Sequence, residues 1–283
     1  MLPRTLITFE EMRKARREWA SDTIAFIPTM GALHAGHLSL VKQAAEMADQ
    51  VVVSIFVNPM QFGPREDFSK YPRTLSADLD LLSTVKCDAV FTPNAAEMYP
   101  SGFQTKVVNH EMAAILCGKS RPGHFDGVLT VVAKLFGLVT PTWALFGKKD
   151  FQQWRLIELM VRDLAMNVRV VGAEIVREPD GLAMSSRNRY LAQDKREGAM
   201  LLNRALTVAA AEFRTGNRIV EVLLARVREV LGANPDFTID YVEIRTADRL
   251  EDSGAEIAVS AVILAAAFYQ GVRLIDNLEL VMT

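Results

Sequence analysis

Two histidines three residues apart, His34 and His37, stand with Ala35 and Gly36 between them where the chain is best equipped to handle a phosphate. They follow Met30-Gly31-Ala32-Leu33, which leaves an apolar run at 23–27, and they lead into Leu38-Ser39-Leu40-Val41. The pattern reads strand, glycine-containing turn, helix. A helix start offers backbone N–H groups and the positive end of the helix dipole, so an anion settles there. Gly31 and Gly36 let the backbone turn and come close to a ligand. Residues three apart share a helix face, so both imidazoles can donate to oxygens that gain charge as a phosphoanhydride breaks. A zinc pair would need further ligands, and no Cys/His cluster lies nearby. The glycine spacing rules out a G-x-G-x-x-G dinucleotide fingerprint, which leaves a plain turn with two incidental histidines as the alternative.

Four other stretches gather polar groups, two of them, at 58–61 and 147–150, where strands are expected to end. Asn58 and Gln61 carry amides, which both donate and accept and so suit a ligand with hydroxyl and carboxylate groups; a solvated Asn-Pro turn is the plainer reading. Arg121 and His124 lie among glycines in a segment able to cover a site, or simply to loop over the surface. Gly147-Lys148-Lys149-Asp150 is a second strand-to-helix junction. There Lys149 suits a phosphate and Asp150 a helix cap or a ribose hydroxyl, although paired lysines are usually solvated. In Ser185-Ser186-Arg187, two hydroxyls and a guanidinium can grip phosphate, as a polar hinge loop also could. Asp78 and Asp80 could approach a magnesium ion but, as helix-face carboxylates, are expected to be solvated. There is no G-x-S-x-G elbow, and neither cysteine falls in these motifs, so no covalent nucleophile is evident.

These residues need a frame. The periodicity predicts helices over 9–18, 38–48, 76–85, 129–138 and 150–164, alternating with strands over 23–27, 51–57, 88–92, 144–146 and 168–176. A short strand at 106–109 and a glycine-rich polar loop at 117–128 complete this part. Such alternation argues for an α/β fold, a doubly wound parallel sheet whose ligands gather at the carboxyl ends of strands. After Asp180-Gly181 the order changes to long helices at 193–213 and 220–231, then strands at 237–245, 257–268 and 272–274. That predicts a smaller C-terminal α+β domain, residues 181–283, after a Rossmann-like domain of residues 1–180.

Composition narrows the partners. The 283 residues carry a net charge of −2, are half hydrophobic and 23% charged. They offer no general electrostatic case for nucleic acid or an anionic membrane. Residues 1–5 lack a charged and apolar leader pattern, and the longest apolar run, around 257–269, is too short to span a bilayer. Two widely spaced cysteines, Cys87 and Cys117, fit no metal or redox pattern and suit a reducing cytoplasm.

His34-Ala35-Gly36-His37 resembles the HxGH signature of the class I nucleotidyltransferases. The longer string at 28–41 resembles that of one family among them, the pantoate–β-alanine ligases, or pantothenate synthetases. Residues 58–62 resemble that family's NPMQF segment and 121–128 its RPGHFxGV segment. Residues 146–153 resemble FGxKDxQQ, and 180–191 resemble DGLAxSSRNxYL, the counterpart of the KMSKS loop. These motifs stand in family order over 23–191, with a looser match at 273–277. The resemblance implies ATP-dependent joining of pantoate to β-alanine through a pantoyl adenylate, with Mg²⁺. It implies catalytic roles for His34, His37, Lys149 and Arg187.

Nucleotide contacts would come from residues 30–37 (Met30, Gly31, Ala32, Leu33 and the signature), from Gly147, Lys148, Lys149 and Asp150, and from Val176, Met184, Ser185, Ser186 and Arg187. Pantoate and β-alanine would meet Asn58, Gln61, Tyr71, Arg121, His124 and Gln153, with Val128, Val131 and Val132 either lining pantoate or packing as helix core. No residue is assigned to the metal, and the family implies a homodimer. Two positions depart from the family pattern: Ala35 replaces a common Glu, and Lys148 stands where Glu is common, its side chain expected to point outward. Another member of the superfamily, adenylating a different acid or making a dinucleotide, is the nearest rival, and a nucleotide-binding regulatory module without turnover a more distant one.

Overall fold

A computed structural model describes residues 2–64 and 66–282. Met1, within the stretch read as lacking a leader, Arg65, within the region around the NPMQF segment, and Thr283, the last residue of the expected second domain, lie outside the described residues.

The first unit comprises residues 1–148 and 156–174. Its strands are β1 (Arg4–Leu6), β2 (Ile24–Thr29), β3 (Gln50–Ile55), β4 (Ala89–Phe91), β5 (Trp143–Gly147) and β6 (Arg169–Ala173). All pair in parallel, in the order β1-β4-β3-β2-β5-β6. The helices between them are α1 (Phe9–Glu18), α2 (Ala35–Met47), α3 (Leu75–Leu82), α4 (Ala95–Met98), α5 (Leu116–Ser120), α6 (His124–Val139) and α7 (Phe151–Asp163), the last of which also enters the second unit. After β2 the chain builds outward through β3 and β4, then returns to add β5 and β6 on the other side. The order therefore reverses between β2 and β5, the place where ligands of such sheets gather.

Both faces of β2 are covered, which explains its unbroken apolar run. Ala25 and Ile27 pack with Leu40, Val41 and Ala44 of α2 and Leu82 of α3. Phe26, on the other face, meets Phe136 of α6 edge-on, ring centres 6.3 Å apart. The buried Cys87 keeps its thiol, because desolvation pushes its pKa up to about 12.

The second unit comprises Lys149–Arg155 and Ile175–Thr283. Helices α8 (Arg196–Ala199), α9 (Leu201–Arg214) and α10 (Val220–Gly232) precede an antiparallel sheet β7-β8-β9 (Phe237–Thr246, Ala261–Tyr269, Val272–Leu280). Leu202, Leu206 and Val227 pack on Ile263, Ala265 and Leu274.

Several expectations need correction. The long helix expected at 193–213 is broken into a 3₁₀ turn, α8 and α9. Gly198 presses on Tyr269 so closely that an added Cβ would lie 2.0 Å from the phenol oxygen, and that hydroxyl donates to the Lys195 carbonyl. The segment 106–109 is not a strand; Val107 N–H is taken by the Thr130 hydroxyl (3.0 Å) instead of a ladder partner. The loop expected at 117–128 is largely helical, since α6 begins at His124, immediately after left-handed Gly123 (φ 79°). Strand β1 was not foreseen, because three residues leave no periodicity to read. Among the described residues, no helix is long and apolar enough to cross a membrane.

Candidate active site

The chain leaves β2 through two left-handed residues, Gly31 (φ 78°) and Ala32 (φ 51°). A side chain at Gly31 would run into Ile55 and Asp78, whose nearest atoms lie 2.9 and 3.0 Å from an added Cβ. Asp78, only 1% exposed, holds the turn: Ala32 N–H donates to its Oδ2 (3.0 Å) and Leu33 N–H to its Oδ1 (2.8 Å). The expectation of a solvated Asp78 is overturned. It shares the buried face of α3 with Leu82, four residues on, and that placement among apolar positions was the signal available in the sequence.

Helix α2 starts at Ala35, with His34 as its extended N-cap (φ −147°), three residues earlier than expected. Gly36 N–H donates to His34 Nδ1 (3.2 Å), and His34 N–H donates to His37 Nδ1 (3.3 Å). The two rings thus form a capping box in which imidazole replaces the usual hydroxyl and carboxamide. A backbone N–H can only donate, so both Nδ1 atoms accept and both neutral rings carry their proton on Nε2. Ring centres 4.1 Å apart make one compact donor pair. The Gly36 and His37 amides of this helix start already have partners within the turn.

After β3, the amides of Asn58 (1% exposed) and Gln61 (9%) come together at 3.1 Å. Asn58 also donates to the Gly127 carbonyl (3.0 Å) and accepts from Tyr99 Oη (2.7 Å). Arg121 grips Glu66 with two bonds of 2.7 Å and reaches the Gln61 carbonyl at 3.3 Å. Burial opposes ionisation of Glu66, but Arg121's hydrogen bonds and charge outweigh it and hold the carboxyl below its ordinary range. Arg121 Nη1 lies 2.9 Å from His124 Nε2, and His124 Nδ1 lies 2.8 Å from the Gln61 carbonyl. A guanidinium must donate, so His124 carries its proton on Nδ1 and gives it to that carbonyl. Arg121 and His124, expected at a substrate, thus brace the main chain at Gln61. Tyr71 is buried against Phe62, ring centres 5.9 Å apart. Val128, Val131 and Val132 are buried in α6. Glu66 and Tyr99 were not foreseen, and nothing in their spacing marks them.

Gly127 explains why a glycine-rich string can be helical. An added Cβ would sit 2.3 Å from the Met60 carbonyl oxygen and 2.6 Å from the Gln61 nitrogen. Backbone cannot yield as a flexible side chain can, so Gly127→Ala should cost about 1–3 kcal/mol by overpacking. It should also move Asn58 off its carbonyl partner. Chemical denaturation of the variant checks the first effect and substrate KM the second. Unchanged values for both would mean the helix can shift freely.

The second unit holds the remaining expected residues. The Lys149 carbonyl accepts from Asn277 Nδ2 (3.0 Å), and Lys149 shares a cavity with Ser185, Asn188, Arg273 and Asp276. Ser185 Oγ accepts from Arg187 N–H (3.2 Å), and Met184 N–H donates to the Val176 carbonyl (3.0 Å). Arg177 forks onto Asp276 at 2.7 and 3.0 Å. Of the neighbouring glutamines, Gln152 is buried and Gln153 half-buried, while Asp150 is exposed. In the first unit Lys148 does not point outward: its ammonium pairs with Glu174 and its side chain is mostly buried. Among the described residues, no group of three or more His, Cys, Asp or Glu side chains could hold a metal.

A parallel sheet with an imidazole pair at its switch-point strand defines a protein that handles nucleotide phosphates. The chain belongs to the pantoate–β-alanine ligase family, whose model matches residues 4–279, and is an ATP-dependent ligase. It is 51% identical over 266 residues to the pantothenate synthetase of Geobacter sulfurreducens, covering 94% of this chain and 93% of that one. The Carboxydothermus hydrogenoformans pantothenate synthetase is 52% identical over 265 residues, 93% of each chain. Among solved structures, the Thermus thermophilus pantothenate synthetase superposes with a TM-score of 0.93 at 45% identity, covering 99% of this chain and 100% of that one. A Francisella tularensis pantoate–β-alanine ligase, complexed with β-γ ATP and β-alanine, gives 0.76 at 32% identity, covering 98% and 97%.

Proposed function

We propose that the chain joins pantoate to β-alanine in two steps, with its own side chains as binders and charge stabilisers. A pantoate carboxylate oxygen attacks the α-phosphorus of ATP, and the bond to pyrophosphate breaks. The β-alanine nitrogen then attacks the acyl carbon of the pantoyl adenylate, AMP leaves, and the nitrogen loses a proton. The observation that carries this reading is the imidazole pair with both Nδ1 atoms occupied by backbone N–H groups. Its Nε2–H groups suit the phosphate oxygens that gain charge in the first step.

Lys149, Ser185, Ser186 and Arg187 hold the β- and γ-phosphates, Asp150 the ribose, and Met184 and Val176 flank adenine. The turn at 30–36 and the junction at Gly147 and Lys148 frame the nucleotide. Asn58, Gln61 and Gln153 align pantoate and β-alanine, where proximity lowers the barrier most. Tyr71, Arg121 and His124 support that wall, and no covalent protein intermediate is needed.

Magnesium bound with ATP would neutralise charge on the phosphates. That mode fits a chain with no three-ligand cluster among its described residues, and one whose Asp78 oxygens already accept backbone N–H groups. The working form is a cytoplasmic homodimer in which residues 1–180 carry ATP and pantoate and 181–283 serve as a lid.

Pyrophosphate–ATP exchange with pantoate and magnesium, β-alanine left out, tests the first step. Pantoate-dependent exchange is expected, and adding β-alanine should release AMP and pantothenate. Exchange with a different acid only, or pyrophosphate release with a mononucleotide, would overturn the substrate assignment.

A further inference from the structure

We propose that Tyr99 is a positioning residue for the pantoate subsite: its bond to Asn58 holds in place the amide that orients Gln61. The inference rests on the reading of Gln61 as a pantoate contact.

The argument starts from main-chain groups whose roles cannot change. The Gly127 carbonyl can only accept, so the Asn58 atom 3.0 Å from it is the amide nitrogen. Met60 N–H can only donate, so the Asn58 atom 3.2 Å from it is the carbonyl oxygen. These two backbone groups set which end of the Asn58 amide is which, and Tyr99 adds a second donor to its oxygen. Tyr99 Oη lies 2.7 Å from that oxygen and must donate to it. The second N–H of Asn58 is directed at Gln61, whose facing atom, 3.1 Å away, must be Oε1. Gln61 Nε2 is left on the far side, with Met30 Sδ at 3.0 Å.

A thioether is a weak acceptor, and a nearly buried amide N–H gains by exchanging it for a ligand oxygen. Gln61 thus offers donors. These suit a carboxylate or hydroxyl oxygen of pantoate.

Tyr99 is suited to hold this orientation. Its ring packs against Phe103 and Phe56, with centres 5.1 and 6.2 Å away, and the Lys134 ammonium lies over the Phe103 ring at 4.8 Å. Burial pushes its phenol pKa up, so the hydroxyl stays a donor across the working pH range. Without that hydroxyl, the buried Asn58 oxygen loses its shortest donor, and the Asn58 side chain, with the Gln61 amide bonded to it, is held less firmly.

The test compares Tyr99→Phe, Gln61→Ala and the double variant in the full chain. Tyr99→Phe removes one oxygen and keeps the ring. Its pantoate KM should rise about fivefold or more, the equivalent of one hydrogen bond, while ATP KM and the thermal midpoint stay close to wild type. In the Gln61→Ala background the same change should have no further effect on pantoate KM, because the group it orients is gone. An unchanged pantoate KM in Tyr99→Phe, or a full additive effect on top of Gln61→Ala, overturns the proposal. So does a parallel rise in both KM values with a lower midpoint, which would mark a structural role. If Gln61→Ala alone leaves pantoate KM unchanged, the pantoate reading of Gln61 falls, and this inference falls with it.

Discussion

Replacing His37 by alanine is expected to lower pantoate-dependent pyrophosphate–ATP exchange by about 10²–10³-fold, the usual loss when one donor to a developing oxyanion is removed. The ring has two jobs that can be separated. Its Nδ1 accepts His34 N–H and so closes the cap of α2; its Nε2–H is the group proposed to meet phosphate. Losing the cap costs about 0.5–2 kcal/mol, which leaves a folded protein. Glutamine is an ordinary partner at this helix position, so His37→Gln should restore stability while exchange stays well below wild type. Exchange near the wild-type rate in folded His37→Ala would remove His37 from the chemistry. The same logic applies to His34, whose Nδ1 is occupied by Gly36 N–H.

The second large effect concerns stability. Asp276 has a side chain only 3% exposed, and its carboxylate is matched by the Arg177 fork, by Asn203 Nδ2 and by Asn277 N–H. Arg177→Leu leaves that carboxylate buried with neutral donors only. The expected loss is about 3–5 kcal/mol, the range for breaking a buried pair from one side. Adding Asp276→Leu should recover part of it, because an apolar pair no longer carries an uncompensated charge. Denaturant midpoints of the two variants measure both values. A loss below about 1 kcal/mol for Arg177→Leu would place the pair with exposed ion pairs, which contribute little. The neighbouring Asn277 also holds the Lys149 carbonyl, so Arg177→Leu should disturb Lys149 before the whole unit unfolds.

What the chain reveals unaided follows from how each residue is used. The apolar run before His34 is legible because a strand covered on both faces needs apolar side chains throughout. The signature is legible because a tight turn and a helix start need particular residue types. Asp78 was misread because a carboxylate on a helix is ordinarily wetted, and only the turn folded against it shows that its oxygens are spent on main-chain N–H groups. Gly127 was misread for a related reason. A glycine kept so that two backbones can touch looks, in sequence, the same as a glycine kept for a turn. Lys148 was assigned to solvent, but Glu174, which holds it, is 26 residues further along, and pairing at that distance leaves no local trace. Arg121 and His124 were legible as a polar group; their joint bracing of Gln61 required the fold.

The parallel pairing of β1 with β4 sets an order of events during synthesis. Arg4, Thr5 and Leu6 have no sheet partner until Ala89, Val90 and Phe91 exist. At ordinary translation speeds that wait is on the order of ten seconds. Residues 4–6, made about 85 residues before their partners, thus join the sheet late, and contacts that span so much chain are slow to form. A nascent chain stalled before residue 89 would carry an unpaired N-terminal segment open to a chaperone or protease. One stalled well beyond it would have that segment closed into the edge of the sheet.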